Sequence, residues 1–359
     1  MSDARALLAE TLERVFADAA ARRDALQAGG ALDAALAARV EALGLGALLV
    51  PEAQGGAGGG FEDARVVARA LGHAAIPLPL CETLLAARCL AAAGIERPDG
   101  VLSLALRARG RLREARGEWR FSGELAGVPW GAAASGVVAA LPTTGGARLA
   151  LLRPADAAGV DAGCNLADEP RDRLRFRDAR AEVAARPPRA GDAGLQAALF
   201  DQAALLRTGQ IAGALLAALE RSIAHAGQRV QFGRRLAQFQ AVQQQLAAMG
   251  EEVLAVDCAS AAACRAADRG EAGFEIACAR LRANLAIDVV APGAHQIHGA
   301  IGFTREQDLR LYTQRLLAWR SELGNDRHWA ARLGREVAAR GADAFWPDLT
   351  ARSDRLDRG

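Results

Sequence analysis

The chain has 359 residues, enough for two or three domains with a sizeable core. Its 44 basic residues, all arginine, are balanced by 42 acidic ones, and a net charge of +2 gives no electrostatic case for nucleic acid. Six scattered cysteines and five histidines show no metal-ligand spacing, so the thiols read as reduced core residues of an intracellular protein, with the cytoplasm as default. The N-terminus lacks the apolar core of a signal peptide, and no run of about 18 apolar residues predicts a membrane span.

Residues 1–100 read as a helical domain. Leu7, Leu8, Leu12 and Val15 repeat at helical spacing, as do Leu32, Leu36, Val40 and Leu43. Val50-Pro51-Glu52 leads into a glycine-rich loop, Gly55 to Gly60, which serves either as a connector or as a surface that something approaches closely. A helix resumes at Asp63 and is expected to end at Gly72. From 101 to 187 short runs such as Val101–Leu106, Glu118–Phe121 and Gly136–Leu141 alternate with turn residues, which predicts a small β-sandwich or barrel. Residues 186–191, rich in arginine and proline, read as an exit linker. Long amphipathic helices then fill 195–345, followed by a tail at 346–359. Phe232, Leu236, Phe239, Val242, Leu246, Met249 and Val253 step by three or four, as one buried helical stripe would. The fold class is therefore α+β and multidomain: helices, a small β unit, then a helical bundle.

Four fragments make that order specific. They are Leu43-Gly44 to Pro51-Glu52 with Gly55-Gly56; Arg229-Val230-Gln231-Phe232-Gly233; Phe239-Gln240; and Gln296 to Gly299 with Gly302-Phe303. In this order and at these separations they resemble the signature elements of the acyl-CoA dehydrogenase family, across nearly the whole chain. The resemblance implies a C-terminal four-helix bundle and FAD bound at subunit interfaces of a homodimer, homotetramer or heterotetramer. It also implies an acyl-CoA substrate and electron-transfer flavoprotein as acceptor. By position, Arg229 contacts the diphosphate, with Gln231 and Phe232 beside it; a forked, charged guanidinium suits that group. Gln240, Gln296 and Gly299 fall on positions that line the adenosine and pyrophosphate path of a neighbouring subunit's cofactor, and Asn325 on a further cofactor-binding position. Each has a plainer reading too: Arg229 as an ion-pair partner, Gln240 as an interface glutamine, and Phe232 as core.

The reaction of this family needs a carboxylate base at the acyl α-carbon. Counting onward from Gly299 places Leu323 at the family's base position, with Glu322 one residue early and Gly324 on the family glycine. The alternative base position, on an earlier helix, falls on Ala203, with Asp201 nearby. The flavin-contacting loop usual in the middle domain of the family is missing from Leu102 to Arg111. Three functions follow. The chain is a dehydrogenase with Glu322 as catalytic base, a subunit of a heteromeric dehydrogenase whose base lies on another chain, or a binding paralogue without flavin.

Overall fold

The structure, a computed structural model, describes residues 3–20, 32–184 and 192–356; the expected linker at 186–191 lies outside them. Its backbone forms two compact units, one of residues 1–67 and 76–203 and one of 68–75 and 204–359.

The first unit begins with helices Asp3–Ala20 and Ala34–Ala42, the latter capped by Asp33, whose carboxylate accepts from the amides of Ala35 and Leu36 at 3.1 Å. Leu12, Val15, Phe16, Leu36 and Val40 are buried, as their spacing requires. The glycine-rich loop folds back on its own chain. The amides of Gly58 and Gly59 donate to the carbonyls of Val50 and Leu48, and a Cβ on Gly56 would lie 2.1 Å from the Val50 carbonyl oxygen. Those glycines serve a local close approach.

The middle segment is a seven-stranded sheet in the order β1 (Leu102–Ala105), β4 (Gly136–Thr143), β5 (Gly146–Leu152), β7 (Arg171–Val183), β3 (Glu118–Pro129) and β2 (Ala108–Ala115). A short β6 (Gly159–Asp161) pairs with β7. Only the β1–β4 pair among these is parallel. Register breaks in β3 beyond Phe121 and Leu125 bend the sheet around one core, where Phe121 and Phe176 pack with ring centroids 5.9 Å apart. Leu106 and Arg107 are the whole connection between β1 and β2.

The second unit is a bundle built on the helix Asp192–Gln228 with helices Gln240–Asp268, Gly273–His298 and Leu309–Ser321, followed by Asp326–Arg340 and Ala342–Leu356. The last of these occupies most of the stretch expected as a tail. Gly72 does not end its helix, which runs on to Ala74. A Cβ there would sit 1.9 Å from the Gln210 carbonyl oxygen, and one on Gly213 would sit 2.0 Å from that of Arg69, so the two glycines let two helix backbones touch. The apolar stripe is also shorter than its spacing suggests. Met249 and Val253 are buried, but Phe232 is outside any helix and 91% exposed, because the chain turns at Phe232-Gly233. Of the cysteines expected in the core, Cys164 and Cys258 prove exposed.

Candidate functional site

All but one of the cofactor residues expected from the sequence collect at one end of the bundle; Asn325 does not. Past Gln228 the chain forms a two-stranded hairpin, Val230–Gln231 paired with Arg234–Arg235, in which Phe232 and Gly233 both have positive φ, 51° and 78°. That is a two-residue turn of the mirror-image type favoured in hairpins. Arg229 is pinned at its base, its amide donating to His225 and its carbonyl accepting from Leu236 at 2.9 Å. Its side chain stays exposed, as do those of Gln231 and Gln240. Gln240 opens the next helix, whose Gln245 and Met249 pack against Gly293. Gln296 and Gly299 are exposed three and six residues farther along the chain from Gly293, so they share this end. His225 stacks on His298 at 4.5 Å and His295 on Phe303 at 4.2 Å, which binds the hairpin stem to the turn Gly299–Phe303. Gly299 has φ +65° with nothing within 4 Å of its missing Cβ, whereas Gly302 is hemmed in, 3.0 Å from the His298 Cβ.

Burial holds His225, His295 and His298 below the usual imidazole range; the charge of His298 lowers the first two further. This end therefore presents an arginine, three glutamines and an open glycine backbone to solvent, a donor set that fits a diphosphate and its sugar.

Glu322 and Asn325 lie at the other end. Arg280 touches the Glu322 carbonyl, and from Arg280 to Gln296 along their common helix is about 24 Å at ~1.5 Å per residue. Glu322 follows the last turn of helix Leu309–Ser321 in extended conformation. Its carboxylate lies 3.6 Å from the guanidinium of Arg207, which is buried and stacks over the Trp319 ring at 5.0 Å. Leu323 then takes a left-handed conformation, φ 55°, which costs a branched residue about 1–3 kcal/mol and must be held by its surroundings. The Trp329 indole donates to the carbonyls of both Leu323 and Gly324 at 3.1 Å. A Cβ on Gly324 would lie 2.6 Å from that indole nitrogen, which fixes glycine there. Asn325 caps helix Asp326–Arg340, its side-chain oxygen accepting from the His328 amide at 3.0 Å. That cap is its visible task.

Arg207 and Arg280 went unnoticed in the sequence reading, since neither sits in a motif. Arg280 is fully buried, and burial, reinforced by the charge of Arg207, pulls its pKa down to about 9.

Helical, β and helical segments in this order, with a polar arginine hairpin at one end of the bundle and a pinned acidic turn at the other, define a multidomain α+β chain whose bundle carries two polar sites. Comparison with known proteins places it more closely. The acyl-CoA dehydrogenase N-terminal domain model matches residues 2–97 and the C-terminal domain model residues 193–337. Acyl-CoA dehydrogenase IpdE2 of Mycobacterium tuberculosis is 32% identical over 298 residues, 83% of this chain and 84% of the relative. Among solved structures, a Tcur3481-Tcur3483 steroid ACAD variant aligns with TM-score 0.84 and 26% identity over 94% of this chain and 98% of that one. The ChsE4-ChsE5 complex from Mycobacterium tuberculosis gives TM-score 0.82 at 23% identity over 95% and 99%. The chain belongs to the acyl-CoA dehydrogenase family, whose members are FAD-dependent flavoproteins. Among the described residues, no helix is long and apolar enough to cross a membrane.

Proposed function

We propose that this chain is a FAD-binding subunit of an acyl-CoA dehydrogenase that acts in α,β-dehydrogenation of an acyl-CoA thioester together with a related chain carrying the base. One observation carries the reading: at the turn after helix Leu309–Ser321, leucine stands where the family's base is expected, and the adjacent Glu322 carboxylate is engaged by buried Arg207. The two-residue β1–β2 link points the same way, because the loop that touches the flavin ring in other family members has no counterpart here. Relatives named as pairs, Tcur3481-Tcur3483 and ChsE4-ChsE5, make a heteromer a natural form for such a chain.

On this reading Arg229 and Gln231 would hold the diphosphate of one FAD, with Phe232 beside it, while Gln240, Gln296 and the Gly299 backbone would line the adenosine and diphosphate path of a neighbouring subunit's FAD. FAD, when bound, supplies the acceptor for the hydride leaving the acyl β-carbon. The turn Glu322–Gly324 shapes the wall beside the acyl α-carbon, and its proton goes to a carboxylate. Electron-transfer flavoprotein is the partner this reading expects as electron acceptor, with the cytoplasm as the setting.

A second reading keeps Glu322 as the base, favoured by a side chain that retains 22% exposure and so has room to swing off Arg207. The experiment is the visible spectrum of the purified chain with added FAD, followed by anaerobic acyl-CoA. Bleaching by the chain alone that is lost in Glu322→Gln supports the second reading. Bleaching only after a related chain is added supports the first. Absence of any flavin band after incubation with FAD sinks both.

A further inference from the structure

The turn Glu322–Gly324 has its three carbonyls captured one after another, and the anchor of that arrangement is a buried charge. Arg280 Nη2 donates to the Trp319 carbonyl and, at 2.6 Å, to that of Glu322, while its Nη1 donates to the Asn284 side chain at 2.7 Å. Asn284 passes the contact on, its amide lying 3.4 Å from the Gly324 carbonyl oxygen. Trp329 holds the carbonyls of Leu323 and Gly324 from the opposite side. The guanidinium is completely buried and donates to two backbone carbonyls and an amide. The like charge of the second buried arginine, Arg207, acts against it, while the charges of Glu322 and Asp326 act in its favour. Placing a cation this way is unfavourable in itself, so its gain has to lie in what it grips. It grips the carbonyls where helix Leu309–Ser321 ends, where a cation also meets the negative end of the helix dipole. What it prevents is release of Leu323 from its left-handed conformation.

We propose that Arg280 is a positioning residue: by clamping the Trp319 and Glu322 carbonyls it sets the Glu322–Gly324 turn, and hence where the Glu322 carboxylate and the Leu323 side chain meet the acyl group. The last clause rests on the acyl-CoA dehydrogenase reading; the clamp itself does not.

The test uses the full chain and its Arg280→Lys and Arg280→Gln variants, followed by hydrogen exchange resolved by mass spectrometry. The expected result is at least tenfold faster exchange of peptides covering 320–326 in Arg280→Gln. Peptides from the helix Gly273–His298 should stay within threefold, and Arg280→Lys, which keeps a donor and a charge, should be intermediate. Exchange at 320–326 unchanged in Arg280→Gln, or a loosening shared equally by the turn and that helix in both variants, would overturn the clamp. In the assembly that bleaches with acyl-CoA, Arg280→Gln should lower kcat at least tenfold with KM within twofold. An unchanged kcat with the turn loosened would overturn the positioning role while leaving the clamp standing, and a protein that bleaches with no acyl-CoA would refute the functional reading alone.

Discussion

Glu322 and Arg207 form an ion pair of 3.6 Å in which the arginine is the buried member, its side chain 6% exposed against 22% for the carboxylate. The asymmetry makes the two halves unequal. Removing the carboxylate leaves a buried cation less well compensated, while removing the arginine leaves an acid that water can reach. Glu322→Ala should therefore cost about 1–3 kcal/mol of unfolding free energy. Arg207→Met, whose chain can still cover the Trp319 ring, should stay within about 1 kcal/mol of the parent. Urea unfolding of both variants checks the order, and a larger loss for Arg207→Met would show that the arginine is held mainly by something other than this carboxylate.

Gly72→Ala gives a test of opposite sign from helix propensity. An exposed glycine inside a helix is normally improved by alanine, by roughly 0.5–1 kcal/mol. Here the new Cβ would meet the Gln210 carbonyl oxygen at 1.9 Å, backbone against backbone with no rotamer to yield. The expected loss is about 2–4 kcal/mol, as for an overpacked core. Thermal melting decides it; an unchanged or higher Tm would mean the two helices separate at little cost.

These positions also show what could be read from the chain alone. The α–β–α order is legible, because strand alternation, helical periodicity and the spaced signature fragments are local signals. The Phe232 stripe misled because three-and-four spacing is blind to a tight turn, although Gly233 was the available warning. Gly72 was taken for a helix stop because a close helix crossing and a helix end ask for the same residue. Leu323 could be found by counting, but not the grip of Arg207 and Arg280 on its turn. Nothing local distinguishes an arginine aimed across a bundle from the many aimed at water.

The three histidines at the hairpin end predict a pH dependence. Each is held below its ordinary value, first by burial. A group with a depressed cationic pKa binds fewer protons folded than unfolded, so its stabilising contribution is complete above the unfolded value of 6.5 and is lost as pH falls from there toward the folded pKa. Stability should decline on acidification below about 6.5, before most carboxylates titrate near ~4. The decline should be shallower in His225→Gln, which removes one member of the stack on His298. Equal slopes for parent and variant in urea titrations across that window would remove the histidines from the explanation.

Phe232 offers the sharpest separation of folding from function. It is 91% exposed, has φ 51°, and meets Phe239 edge-on at a centroid distance of 6.3 Å. A large aromatic residue in the left-handed region is strained by about 1–2 kcal/mol, and asparagine before glycine is the favoured pair for this turn. Phe232→Asn should therefore leave the melting temperature unchanged or raise it slightly, since the relieved strain outweighs one edge contact. If the exposed ring is retained to cover a flavin nucleotide or a second subunit, the same variant should lose bound FAD at least tenfold more readily on dilution, or shift to a smaller species on gel filtration. A variant as stable as the parent that keeps both flavin and assembly would show that the ring serves neither, and that the hairpin contributes to the site through Arg229 and Gln231 alone.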